Sequence, residues 1–295
     1  MKKARYEIID NIRRAAEEGR FSSCVEVSDP KLTKDERSEI AKRSFASRTS
    51  LSYKIKRFFA ERIADAATAM VMGNVEIFGT ENLQGIVGGA IITSNHFSPI
   101  DSTAARRVVS LLDGGKLNIV TRDSNLAMGG VVGFLMNYAR TIPLCEDAHY
   151  MARSFAPAIS DMLARDEFVL IYPEAEMWQN YRKPRPHMSG AYYYAAKNNA
   201  PIIPLFVEMR DTSIFDKDGF LRQEYAIHVL PPIYPDAKLS ARENTRMMCE
   251  RDFSERSSTY ERIYGRSYNS GFSEDDIAGF IVAQDPYMSE LFATV

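Results

Sequence analysis

Cysteine is scarce. Cys24, Cys145 and Cys249 are odd in number and widely spaced, which excludes a disulfide framework and a zinc pattern and points to a reducing compartment. Long apolar runs are also missing. No window approaches the roughly 18 consecutive apolar residues that one bilayer-spanning helix needs. The first stretch, MKKARYEIIDNIRRAAEEGR, holds no apolar run of signal-peptide length. Internal repeats, low-complexity tracts and clear linkers are absent. The net charge of −2 says nothing about nucleic acid, and none is expected as a partner. What is present is globular: 45% hydrophobic residues in 295 is enough for one large α/β domain with appended helices. The charge is unevenly placed. Between Lys42 and Arg62 stand seven basic residues and one acid, Glu61, which suggests a basic face at one end of the molecule.

Residues 3–19 read as a short polar helix, followed by a loop broken by Asp29-Pro30. A long helix is expected from about Lys34 to Met72. Leu51, Ile55, Phe58, Phe59, Ile63, Ala66, Ala67 and Met70 mark one face of it at steps of three and four, with Lys54, Lys56, Arg57 and Arg62 largely off that stripe. The pattern suits a helix lying on an anionic membrane surface and equally a helix packed on its own domain. After Gly73 the period changes. Strands are expected at 74–79, 90–94, 117–122, 140–145, 168–172, 202–208 and 226–230, with helical segments at 100–110, 125–138, 149–164 and 188–198 between most of them. The uncharged stretch Ser124–Ala139 reads as buried core. The alternation predicts an α/β fold: a mostly parallel mixed sheet flanked by helices, with N-terminal and C-terminal helical extensions. The expected division is 1–72, a helical region; 73–235, the α/β core; and 236–295, a C-terminal extension with a polar helix at 239–264 and one more from Glu274 onward.

The strongest local feature is IITSNHFSPID, residues 91–101. A buried strand delivers Asn95 and His96 at its carboxyl end. Ser98 reads as a helix cap and Pro99 as the first helical residue. Asp101 then falls in the first turn, from where its carboxylate can turn back to His96. An acid that fixes one imidazole nitrogen leaves the other free to remove a proton, so His96 and Asp101 are the candidate catalytic pair. The bland alternative is a polar loop histidine beside a helix-capping aspartate. A second strand end, FVLIYPEAEMW at 168–178, supplies Glu174. Just beyond it Arg182, Lys183 and Arg185 form a basic run bounded by prolines, as a phosphate-binding loop needs and as a solvated loop also shows. The third feature, NNAPIIPLFVE at 198–208, is by itself only a core strand.

In this order, NHFSPID, YPEAE and APIIPLF resemble the glycerolipid acyltransferase family, the family of bacterial 1-acylglycerol-3-phosphate and glycerol-3-phosphate acyltransferases, over roughly residues 70–235. The first motif, Asn-His with Asp five residues after the His, is matched by Asn95, His96 and Asp101. Of the third, Phe-Pro-Glu-Gly-Thr-Arg, Pro173 and Glu174 remain. The fourth is matched by Pro201 and Pro204. The two arginines that bind the acceptor's phosphate in the family are replaced by Glu146 and Met177. The resemblance implies that His96, oriented by Asp101, activates an acceptor hydroxyl, and that acyl-CoA or acyl-ACP donates the fatty acyl group to a lysophospholipid or glycerol-phosphate-like acceptor. Asn95, Glu174, Arg182, Lys183 and Arg185 are the candidate substrate-binding residues. No metal and no bound cofactor are implied. The expected partners are the acyl thioester, acyl carrier protein among its carriers, the lipid acceptor and an anionic membrane, with the enzyme peripheral on the cytoplasmic side. Three other readings stand beside it: a non-catalytic lipid-binding protein of the same fold, transfer to a non-phosphate or amine acceptor, and a hydrolase using His96 and Asp101 as metal ligands.

Overall fold

The computed structural model describes residues 2–27, 30 and 32–281. Its centre is a seven-stranded sheet of β1 (Glu76–Phe78), β2 (Ile91–Thr93), β3 (Leu117–Arg122), β4 (Thr141–Leu144), β5 (Phe168–Leu170), β6 (Ile202–Phe215) and β7 (Leu221–Val229), in the order β1-β7-β6-β2-β5-β3-β4. Its strand pairs are parallel except β6 with β7, an antiparallel hairpin. The mostly parallel mixed sheet expected from the alternating pattern is therefore present. The hairpin is longer than the apolar runs 202–208 and 226–230. Its outer half alternates half-buried and exposed positions and carries charge, so it lacks the continuous apolar signal of a doubly covered strand.

Helices cover both faces. In chain order they are α1 (Lys2–Glu17), α2 (Lys34–Ser47), α3 (Leu51–Met72), α4 (Ser102–Val109), α5 (Gly130–Tyr138), α6 (Ala148–Tyr150), α7 (Ala156–Ala164), α8 (Gly190–Lys197) and α9 (Ala241–Tyr264). Because side chains alternate across a strand, Ile92 and Leu170 join Ala104, Ala105 and Val108 of α4 in one apolar cluster. Ile91 and Val169 join Ile159 and Leu163 of α7 and Tyr192 of α8 in the other. A third cluster binds the ends of the chain together: Ile9 and Ile12 of α1 pack with Trp178, Phe220 and Ile277.

Four expectations are corrected. The helix from Lys34 to Met72 is two helices. Ser50 takes an extended conformation (φ −69°, ψ 148°), and its side chain accepts the Tyr53 N–H, capping α3. The apolar segment Ser124–Ala139 is core only in part: Ser124, Leu126 and Ala139 are buried, but α5 between them lies on the outside, with Val131 65% and Val132 49% exposed. Ser98 does not cap a helix. Residues 98–101 form a turn closed by the Asp101 N–H on the Ser98 carbonyl (3.1 Å), and α4 begins at Ser102. No helix starts at Glu274. A single 3-10 turn spans Glu274–Asp276, and Ile277 then bridges to Tyr181; the rest of that expected helix, 282–295, lies outside the described residues.

The apolar stripe of α3 points outward. The helix buries Tyr53, Ala60, Ala64, Thr68 and Met72, while Leu51, Ile55, Phe58, Phe59, Ile63 and Met70 are exposed. The small side chains Ala60 and Ala64 let the helix close on Ala139 and on Phe134, Leu135 and Tyr138 of α5. Among the described residues no helix is long and apolar enough to cross a membrane.

Candidate active site

The carboxyl ends of parallel strands gather side chains at one edge of a sheet. At the end of β2 the carboxamide of Asn95 forms a closed pair with the backbone of Val207: its Oδ1 accepts the Val207 N–H at 2.8 Å and its Nδ2 donates to the Val207 carbonyl at 3.0 Å. The β2–β6 pairing thus continues through a side chain. Asn95 is 2% exposed and serves β6; it fixes the direction in which His96 leaves the sheet. His96 Nδ1 lies 2.8 Å from Asp101 Oδ2. The same oxygen accepts the backbone N–H groups of Phe97 (3.0 Å) and Ser98 (3.2 Å). A carboxylate facing Nδ1 selects the tautomer with hydrogen there, which leaves the lone pair on Nε2. The His96 side chain is 21% exposed, open enough for a substrate atom to reach.

Tyr172, at the end of the neighbouring β5, completes the group. Its ring stacks on His96 with centroids 3.9 Å apart and planes 12° apart. Its hydroxyl donates to the other oxygen of Asp101. Burial, and then Asp101, hold that hydroxyl well above the ordinary phenol range, so it remains a donor. Tyr172 stands where the family's third motif begins with phenylalanine, and the sequence pattern gives it no role. The available signal was a phenol hydroxyl at a strand end, a group that seeks a partner when buried.

Beneath the pair runs a buried ion pair. Arg185 (1% exposed) donates from Nη2 to Glu174 Oε2 (3% exposed) at 2.7 Å and from Nε to the same oxygen at 3.0 Å. Both residues grip the backbone of His96. Glu174 Oε2 accepts the His96 N–H at 3.5 Å, and Arg185 Nη2 donates to the His96 carbonyl at 3.4 Å. Trp178 N–H and Asn180 N–H add bonds to the carbonyls of His96 (3.0 Å) and Phe97 (2.9 Å). Arg185 also donates to the Phe21 carbonyl (3.1 Å) and lies 4.6 Å from the Trp178 ring centroid. Glu174 and Arg185 therefore brace the site.

Residues 74–208 match the acyltransferase family. They form an acyltransferase domain. The protein is an enzyme that transfers acyl groups. The fold of the acyltransferase is similar to that of the 1-acyl-sn-glycerophosphate (LPA) acyltransferase PlsC from Thermotoga maritima. The TM-score is 0.50 at 15% identity, over 90% of this chain and 99% of that one, a likeness of fold. No curated protein matches the sequence.

The remaining expected site residues of the acyltransferase lie elsewhere. Arg182 pairs with Asp211 (2.7 Å) and donates to the Asp275 carbonyl (2.8 Å). Lys183 donates to the carbonyls of Ser270 and Gly271 (2.8 Å each) and pairs with Asp276 (3.1 Å). The loop does not fold back over the strand ends as a free cluster of cations; it anchors residues 270–276. Glu146 sits past the end of β4 and pairs with Lys34 of α2 at 3.1 Å. With Asp123 and Asp147 it lines a cleft of about 260 Å³ between α2 and the ends of β3 and β4. Arg122 ends β3 beside β5 and pairs with Glu176 at 3.0 Å. Among the described residues no group of three or more His, Cys, Asp or Glu could hold a metal ion.

Proposed function

We propose that the acyltransferase moves a fatty acyl group from acyl-CoA or acyl-ACP to a hydroxyl of a lysophospholipid or glycerol-phosphate-like acceptor, with His96 as general base. The observation that carries this reading is the 2.8 Å contact of His96 Nδ1 with the buried Asp101 carboxylate at the carboxyl end of β2. Nε2 takes the proton of the acceptor hydroxyl as its oxygen attacks the thioester carbonyl. The tetrahedral intermediate expels the thiolate, and the imidazolium returns the proton to sulfur, so the base is regenerated and no covalent enzyme intermediate forms. Asp101 orients the ring and stabilises the imidazolium. No metal or bound cofactor takes part. The exposed apolar stripe of α3, with Lys54 and Lys56 beside it, lays the enzyme on the cytoplasmic face of an anionic membrane, where its acyl substrates reside.

One observation favours a second acceptor class. Glu146 stands where the family has a phosphate-binding arginine, and the cleft it lines, which does not include His96 or Asp101, also carries Asp35, Asp123 and Asp147 against Lys34 and Arg37, an excess of acid that suits a neutral or amine-bearing headgroup better than a phosphate. A panel of lysophosphatidic acid, an uncharged lysolipid and an amine-bearing lysolipid, with palmitoyl-CoA or palmitoyl-ACP as donor and with and without a chelator, separates these. His96→Ala is expected to fold normally and to lose turnover about 10²–10⁴-fold, the usual contribution of a general base. Asp101→Asn is expected to lose less. Near-full turnover in His96→Ala protein, or loss of transfer on chelation, overturns the mechanism.

A further inference from the structure

We infer that Tyr172 is a positioning residue for the base, acting through Asp101 and through the face of the His96 ring; the inference rests on His96 being that base. Four donors converge on Asp101, which is 3% exposed. His96 Nδ1, Phe97 N–H and Ser98 N–H meet Oδ2, and the Tyr172 hydroxyl meets Oδ1. The first three come from the loop that carries the base itself. The fourth comes from the segment just past the end of β5, and it fixes the rotation of the carboxylate. With Oδ1 tied to β5, Oδ2 must face Nδ1. The ring does a second job. At 3.9 Å and 12° it covers one face of the imidazole and opposes its rotation, so Nε2 keeps one bearing toward the opening.

The hydrogen bond also sets how firmly Asp101 holds an imidazolium. A carboxylate that accepts one more donor carries its charge more diffusely and stabilises a neighbouring cation less. The base must accept a proton from the acceptor hydroxyl and then surrender it to the departing thiolate. A carboxylate that gripped the imidazolium too firmly would slow the second transfer and hold more of the free enzyme in the protonated, inactive form. Phenylalanine at this position supplies the stack without the donor. Tyrosine supplies both, and because its hydroxyl is held well above the ordinary phenol range by burial and by Asp101, it donates throughout the working pH range.

The test separates the two parts. Tyr172→Phe keeps the stack and removes the donor, and Tyr172→Leu removes both. Each is compared with wild type and His96→Ala on palmitoyl-CoA and the lysolipid panel, and by proton NMR of the downfield Nδ1–H resonance, assigned by its loss in His96→Ala. In Tyr172→Phe we expect kcat to fall about ten-fold with the donor KM unchanged. The acid limb of the kcat/KM profile moves to higher pH, and the Nδ1–H resonance moves downfield as Asp101 becomes the stronger acceptor. Tyr172→Leu falls further and broadens the resonance. An unchanged resonance and an unchanged pH profile in folded Tyr172→Phe protein overturn the inference, whatever the acceptor. Retained turnover in His96→Ala overturns instead the assignment of the base. The NMR comparison needs no substrate, so the two failures are distinguishable.

Discussion

Glu174 and Arg185 carry opposite charges with almost no water around either, and each also holds a backbone atom of His96. Burial pulls the Arg185 guanidinium below its ordinary value, and Glu174 opposes that pull. Such a pair adds little net stability over a well-packed apolar alternative, but breaking it from one side leaves an uncompensated buried charge. Glu174→Gln is therefore expected to destabilise the protein by about 3–5 kcal/mol. It should also depress turnover without changing acceptor preference, because the carboxylate holds the loop rather than the substrate. Urea unfolding and the lysolipid panel check both parts. A stability loss below about 1 kcal/mol, or an altered acceptor preference, would show that Glu174 faces the substrate instead. Next to it, Ala175 adopts φ +66°, a left-handed conformation that suits glycine, at the position where the family motif has one. The backbone of that motif thus persists where its side chains have changed. His96 and Asp101 were legible in the sequence because all of their geometry is local, a strand end and a turn five residues long. Tyr172 was not, because its partner belongs to a different segment, and only the pairing of β2 with β5 brings them together.

At the scale of elements, periodicity revealed the stripe of α3 but not what the stripe faces. Between Tyr53 and Met72 the buried side of the helix is built from Ala60, Ala64 and Thr68, which pack because they are small and give the sequence pattern little contrast. The strongly apolar side was left outside, with Phe58 59% and Phe59 56% exposed. A contiguous exposed apolar face of this kind marks an interaction surface. The exposed Val131 and Val132 of α5, which packs on α3, extend its apolar character. The same logic explains the sheet. Short central strands with both faces covered read as unbroken apolar runs, so they were found; the outer half of the β6–β7 hairpin, half exposed, was missed. The expected outcome for α3 is binding to anionic vesicles in co-sedimentation, weakened by salt. Removing the exposed side chain in Phe58→Ala or Phe59→Ala should weaken partitioning about ten-fold each, from roughly 1.5–3 kcal/mol of lost burial in lipid. Replacing Lys54 and Lys56 with Glu should weaken it on anionic vesicles more than on neutral ones. These sites are exposed, with Lys56 also reaching the Tyr138 hydroxyl of α5 at 3.4 Å, so thermal stability should change little. Full-length protein that ignores anionic vesicles at low salt would refute the assignment.

At the scale of the whole molecule, the C-terminal region is built into the core. Asp252 of α9, fully buried, accepts from Thr93 of β2 (2.7 Å), Tyr192 of α8 (2.7 Å) and Arg256 (2.7 Å). His187 joins through a 2.7 Å contact between its Nδ1 and the Tyr192 hydroxyl. Since that hydroxyl donates to Asp252, Nδ1 carries the hydrogen that points to it, and Nε2 is left buried without a partner. A proton added at Nε2 would place a cation in a dry site close to Arg256. Burial first, with Arg256 adding and Asp252 opposing, holds His187 at about 4 instead of its ordinary 6.5. The sign of the consequence follows from the two states. Above pH 6.5 the residue is neutral in both, and it contributes no pH dependence. Between pH 6.5 and 4 the unfolded chain binds a proton that the folded protein refuses, so stability falls as pH falls. Below pH 4 both states are protonated, and the loss levels off at on the order of 3 kcal/mol. His187→Gln removes the titration. In urea unfolding the loss of stability from pH 7 to pH 4 should then be smaller than in wild type by about 3 kcal/mol. Equal losses in the two proteins would show that His187 takes up its proton as readily in the folded state as in the unfolded one.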